Sequence, residues 1–180
     1  MSGDRQFAFL RAINTGNRRL TNDELLAPFH DLGFTDVAAY QAAGNVTFRA
    51  DHASVDERRI EAVLAEAYGF DVPTFVRSSA ELREVGTAEP FAAADLAVTS
   101  GKVQVTFLRA VPSPQAIAQV MELVPTEDRV VVAERHWYWL PTQGVSTSHL
   151  PVGRIEALLG EMTMRTLGTI ERMLAKFDRP

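Results

Sequence analysis

The tetrapeptide Phe9-Leu10-Arg11-Ala12 returns in the second half of the chain as Phe107-Leu108-Arg109-Ala110. Each copy closes a run of two-residue period. Phe7, Phe9, Arg11 and Ile13 alternate with Ala8, Leu10 and Ala12, and Val103, Val105, Phe107 and Arg109 alternate with Gln104, Thr106 and Leu108. Such alternation marks a β-strand. After each copy the same signals follow in the same order, a helix start and then a hairpin. A chain that repeats a supersecondary order in this way predicts two similar halves.

The first half is punctuated clearly. Thr21-Asn22-Asp23-Glu24 forms a capping box, in which the Thr side chain accepts a backbone N–H and the Glu reaches back. Leu25, Phe29 and Leu32 then give a helical stripe that Gly33 can end, while Pro28 should kink it. Val37–Tyr40 and Val46–Phe48 read as strands joined through Ala43-Gly44-Asn45. Ser54-Val55-Asp56-Glu57 is a second capping box before Ile60, Val63, Leu64 and Ala67, a helix closed by Gly69. Val72–Val76 is a strand whose Pro73 predicts an edge position. The order β-α-β-β-α-β is ferredoxin-like.

A third capping box, Ser78 to Glu81, opens a short helix ending at Gly86, and the stretch to Gly101 reads as a connection. Beyond the repeated strand, Ser113-Pro114 starts a helix with both residues in favoured positions. Val130–Ala133 and Trp137–Leu140 form a hairpin around Glu134-Arg135. The last helix turns Leu167, Ile170, Leu174 and Phe177 inward, with Thr169, Arg172 and Lys176 outward. The expectation is an α+β protein of two ferredoxin-like (βαββαβ) halves packed together, the second less regular. Residues 1–77 form the first subdomain, 78–102 a connecting helix and linker, and 103–180 the second subdomain with its C-terminal helix.

Composition narrows the functions. The chain has no cysteine, which excludes disulfides, thiolate catalysis and zinc-thiolate sites. His30, His52, His136 and His149 show no metal-ligand spacing, and neither a P-loop nor a dinucleotide fingerprint occurs. No catalytic residue, metal or cofactor is therefore assigned. A net charge of -5 disfavours nucleic acid and anionic lipid as partners. No apolar run approaches membrane-spanning length and the start lacks a signal peptide's apolar region, so the cytoplasm is the expected location. The oligomeric state is not encoded in any motif.

The loop Asn14-Thr15-Gly16-Asn17-Arg18-Arg19 joins a strand to a helix N-terminus, where amides, helix dipole and arginines suit a phosphate or carboxylate. Asn and Gly equally serve as left-handed turn residues there. Arg11 lies beside Phe7 and Phe9 and could grip a ligand, although its repetition as Arg109 favours a structural role. Asn45 sits in the hairpin, at the opposite end of the sheet from Asn14 in this reading. Arg165 and Thr169, four apart, share a face of the last helix.

Three ordered stretches, Leu10–Gly16, Tyr40–Phe48 and Thr163–Thr169, resemble a bacterial family known as domain of unknown function 1697 (DUF1697), over about residues 7–177. The resemblance implies a ferredoxin-like, two-subdomain fold and no established reaction. Arg11, Asn14, Gly16, Gly44, Asn45, Thr163, Arg165 and Thr169 match its pattern. Ala43 stands where the family has serine, and Thr166 and Gly168 stand where it has asparagines, so three polar groups are missing from the motifs.

Three readings follow. The first is a non-enzymatic module binding a small anionic or polar ligand, with Arg11, Asn14, Gly16, Asn17, Arg18, Arg19, Asn45, Arg165 and Thr169 as candidate contacts. The second is binding of RNA or single-stranded nucleic acid on sheet aromatics. The third is an enzyme whose site, from Arg11, Asn45 and Arg165, assembles only in three dimensions.

Overall fold

The strand Asp4–Leu10 (β1) is buried from Arg5 onward, so both of its faces and both of its edges need partners. A computed structural model, which describes residues 3–13, 19–41, 43–51 and 54–178, supplies them. After α1 (Asn22–Asp31), the hairpin β2 (Thr35–Ala39) and β3 (Asn45–Ala50) brings β3 antiparallel against one edge. After α2 (Glu57–Tyr68), β4 (Thr74–Ser78) closes the other edge, giving the order β2-β3-β1-β4. The helices α3 (Ser79–Thr87) and α4 (Ala93–Ala97) follow.

The second sheet repeats the scheme. β5 (Gln104–Leu108), α5 (Pro114–Leu123), β6 (Arg129–Ala133), β7 (His136–Leu140), α6 (Val152–Leu159) and β8 (Met162–Thr166) give the order β6-β7-β5-β8, and α7 (Leu167–Phe177) ends the chain. The fold is therefore α+β, with two four-stranded antiparallel sheets. The chain divides into two compact units, Met1–Val85 with Met173–Pro180 and Gly86–Arg172. No helix among the described residues is long and apolar enough to cross a membrane.

Each unit covers one sheet face with a helical core. In the first, Leu25, Phe29, Ile60 and Leu64 pack onto Ala8, Leu10, Val46 and Phe48. Phe34 stacks on Phe48 at 4.3 Å between ring centroids. Burial of each such Phe or Leu contributes about 1.5–3 kcal/mol. In the second, Val120 and Ile155 pack with Leu108, Val130, Trp137 and Trp139.

The caps show where sequence signals held. Thr21 and Glu24 form the reciprocal box, and Ser78 and Glu81 form another, with Ser78 N–H donating to Glu81 at 2.8 Å. Ser113 caps α5 ahead of Pro114. The box expected at Ser54 is not formed. Asp56 caps α2 instead, accepting from Arg58 N–H at 2.9 Å, because Glu57 is already helical and its carboxylate serves β4. Glu57 and Glu61 accept the N–H groups of Val76 and Thr74, each at 2.7 Å. These bonds satisfy the outer edge of β4, which lies at the sheet edge as Pro73 suggested.

Other expectations need correction. α3 continues through Gly86 to Thr87. The helix α6 and the strand β8 are additional elements, and Arg165, expected on the last helix, lies on β8. Thr169 is buried rather than outward, and Met173, not Leu174, is the fully buried residue one turn after Ile170.

The C-terminal residues of the first unit carry a testable ion pair. Asp178 accepts from Ser79 Oγ at 2.6 Å and from Arg83 Nε at 2.5 Å. Partial burial pushes its carboxyl up, but the bonds from Arg83 and Ser79 outweigh this and hold it below the ordinary value. A depressed carboxylate stabilises the fold above its unfolded pKa, and that contribution fades as pH falls through the folded one. Asp178→Asn should thus lower the unfolding midpoint at pH 7, and the gap to the native chain should close below about pH 4. Thermal unfolding across pH checks this.

Candidate functional site

Asn14, Gly16, Asn17 and Arg18 lie outside the described residues. Arg19 is exposed, two residues before the Thr21 cap. Arg11 lies just beyond β1, and its N–H donates to Pro73 O at 2.9 Å. Asn45 is completely buried at the start of β3. Its Nδ2 donates to Tyr40 O at 3.1 Å, and its own carbonyl accepts from Tyr40 N–H at 2.8 Å, so its side chain closes the hairpin.

The loop after β1 and this hairpin share one end of the sheet, contrary to the expectation that they lie at opposite ends. β3 runs antiparallel to β1, so the start of β3 must stand beside the end of β1, with Phe9 paired to Asn45. Leu10 N–H donates to Gly44 O at 2.7 Å. Gly44 has φ +68°, and a Cβ there would come within 2.9 Å of Leu10 O. Glycine is needed at this position both for its backbone angle and for that close approach. Arg11 and Asn45 are accordingly brought to one end of the first unit.

Arg165 and Thr169 do not share a helix face. Arg165 lies on β8, opposite Val105, and Thr169 lies in the first turn of α7. Arg165 Nη1 donates to Thr163 Oγ1 at 3.0 Å and to Met164 O at 2.7 Å, and desolvation lowers its pKa to about 10. The corresponding Arg77 on β4 likewise donates to the carbonyl before it, Val76 O, at 2.7 Å. Arg109 pairs with Glu161 through Nη2 at 2.9 Å and Nε at 3.1 Å, the structural role that its repetition suggested.

In the second unit, β8 passes into α7 without an intervening loop. Thr166 Oγ1 accepts from Thr169 N–H at 3.2 Å, and the two hydroxyls are 2.8 Å apart, so Thr166 caps the helix. A cleft of about 370 Å³ opens at this junction, lined by Lys102, Val103, Thr166, Leu167, Gly168, Glu171 and Arg172. Lys102 and Arg172 outnumber Glu171. A Cβ on Gly168 would meet Arg172 Nη1 at 3.3 Å, so the glycine leaves room for that guanidinium. The first turn of α7 contains no acidic residue, unlike those of α1, α2 and α3, which carry Glu24, Glu57 and Glu81. The nearest carboxylate is that of Glu171, one turn on, which lines the same cleft.

Thr166 and Gly168 line this cleft. Lys102, Glu171 and Arg172 were missed as site residues. The cap pattern of Thr166 followed by Thr169 was the available signal, hidden by the misplacement of the helix start.

A second cleft, of about 170 Å³, lies beside Asp128, Thr142, Ser148 and His149. Asp128 is buried and accepts from Trp139 Nε1 at 2.9 Å, Thr142 N–H at 3.0 Å and Ser148 Oγ at 2.5 Å. Ser148 Oγ accepts in turn from Leu150 N–H at 3.0 Å. One carboxylate thus ties the Pro141–Leu150 loop to Trp139 of β7, and its acceptor capacity is engaged by the fold itself. Asp128→Ala would orphan these donors and should cost roughly 3 kcal/mol or more. Urea unfolding followed by Trp fluorescence measures the loss.

The match to a family model described as "Protein of unknown function (DUF1697)" covers residues 4–138. Among solved structures, the conserved bacterial protein SP0830 from Streptococcus pneumoniae is similar. It aligns with a TM-score of 0.73 at 20% identity, over 98% of this chain and 100% of that one. No curated protein matches.

Proposed function

The chain belongs to the DUF1697 family of proteins of unknown function, and we propose that it is a non-enzymatic module that binds a small anionic ligand. The observation that carries this reading is the cleft at the start of α7, where two cations, Lys102 and Arg172, against the one carboxylate of Glu171, line a helix N-terminus whose first turn has no acidic residue. Ammonium, guanidinium and helix dipole favour the same sign of ligand. The loop 14–19 could offer a comparable combination, but the α7 cleft is the one built from described residues.

In the same reading each unit is a ferredoxin-like βαββαβ plait, and the pair arose by internal duplication. The registers support this. Phe7 pairs with Arg77 as Val105 pairs with Arg165, and Leu10 N–H bonds Gly44 O as Leu108 N–H bonds Arg135 O. A cysteine-free chain suits the cytoplasm. Base stacking on the sheet finds less support, since Phe7, Phe9, Phe107, Trp137 and Trp139 are all buried.

The test is a thermal-shift and calorimetric screen against inorganic phosphate, nucleotides, acyl-CoA and organic acids. A ligand at a hundred times its dissociation constant adds about 2.7 kcal/mol of stability. Lys102→Glu combined with Arg172→Glu should weaken binding at least tenfold, about 1.4 kcal/mol, and added salt should weaken it further in the native chain. An affinity unchanged in the double variant would remove the site from this cleft.

A further inference from the structure

The charged side chains that line the cleft at the start of α7 are not of one sign. Lys102 and Arg172 are cationic, and Glu171 is anionic. Among the described residues none of the three is held in an ion pair. Glu171 and Arg172 are consecutive on the helix, and consecutive residues do not face each other. They stand three and four residues after Gly168, however, and residues at those spacings are neighbours on a helix surface. Both therefore reach the place where Gly168 has no side chain. A Cβ there would lie 3.3 Å from Arg172 Nη1 and 3.8 Å from Glu171 Oε2.

The neighbouring groups of the junction are engaged. Arg172 Nη2 rests on Thr169 Oγ1 at 3.4 Å, Leu167 N–H is taken by Val103 O at 2.9 Å, and Thr169 N–H is taken by Thr166 Oγ1 at 3.2 Å. Gly168 N–H has no acceptor among the described residues. Around one point the cleft thus presents a guanidinium, a carboxylate and an open amide, with the ammonium of Lys102 on its wall.

We propose that the ligand of this cleft is an acidic α-amino acid, of the aspartate or glutamate kind. The inference rests on the reading of the cleft as an anion site and adds an ammonium to the ligand. An α-amino acid carries ammonium and carboxylate on one carbon. A single carbon set over Gly168 therefore meets Glu171 with the first group and Arg172 with the second. The side-chain carboxylate then falls to Lys102. Two carboxylates and one ammonium complement two cations and one carboxylate, group for group, and charge-assisted hydrogen bonds of this kind are the strong ones. A plain dicarboxylate would satisfy Lys102 and Arg172 but leave Glu171 facing carbon or a like charge, which discriminates against it.

Calorimetric titration of the full chain compares L-aspartate and L-glutamate with succinate and glutarate, which lack only the amino group. The amino acids should bind tighter by roughly tenfold or more. Glu171→Gln should erase that preference, weakening the amino acids and strengthening the dicarboxylates by removing a like charge. Gly168→Ala should weaken the amino acids by a similar factor, because its methyl takes the place of the ligand's α-carbon. Its unfolding midpoint should hold or rise, since Gly168 has no positive φ and alanine is the better helix former. Dicarboxylates that bind as tightly as the amino acids overturn this inference, as does an amino-acid preference that survives Glu171→Gln. Failure of both amino acids to bind at millimolar concentration overturns it as well. The anion reading falls with it only if phosphate, nucleotides and acyl-CoA also fail, or if Lys102→Glu with Arg172→Glu leaves binding unchanged.

Discussion

β1 and β5 are buried along almost their whole length, on both faces and along both edges, and the rest of each unit follows from that. A fully buried strand must find a partner for every backbone N–H and C=O. Pairing with β3 and β4, or with β7 and β8, satisfies the interior of the strand. The last residue poses a separate problem, because Leu10 and Leu108 sit where the ladder ends. Both solve it in the same way, by donating to a carbonyl of the adjacent hairpin turn at 2.7 and 2.8 Å. The hairpins are thereby locked to the strand ends, which is why Gly44 tolerates no side chain and why Asn45 is committed to holding the turn.

This explains what sequence reasoning could and could not see. Alternation located β1 and β5 but does not say how many faces are covered, and both Phe7 and Ala8 are inaccessible. Period reveals direction, not how much lies beyond each face. The caps at Thr21, Ser78 and Ser113 were legible because they rest on bonds three residues apart. Asp56 was not, because Glu57 answers to a strand far away in sequence. β8 was lost for a related reason. Met162 to Thr166 alternates, but the helix following at once lends its periodicity backwards, and no Gly or Pro marks the join. Arg165 was consequently placed on a helix face it does not occupy.

The candidate contacts divide along the same line. Asn45 and Arg165 have polar groups that look available in the sequence and are engaged by the fold in three dimensions. Those at the α7 cleft were inconspicuous because Lys102 and Arg172 are distant in sequence and meet only through the junction of β8 with α7.

At that junction Thr166 caps the helix, its hydroxyl accepting from Thr169 N–H. Ser78 plays the equivalent part for α3, but there Glu81 reaches back to Ser78 N–H and Oγ and places a negative charge at the helix end. Thr169 offers only a hydroxyl, already 2.8 Å from Thr166 Oγ1. Of two helices that begin in the same way, α3 therefore carries a carboxylate at its cap, while α7 has a hydroxyl at that position and meets its first carboxylate one turn on, at Glu171.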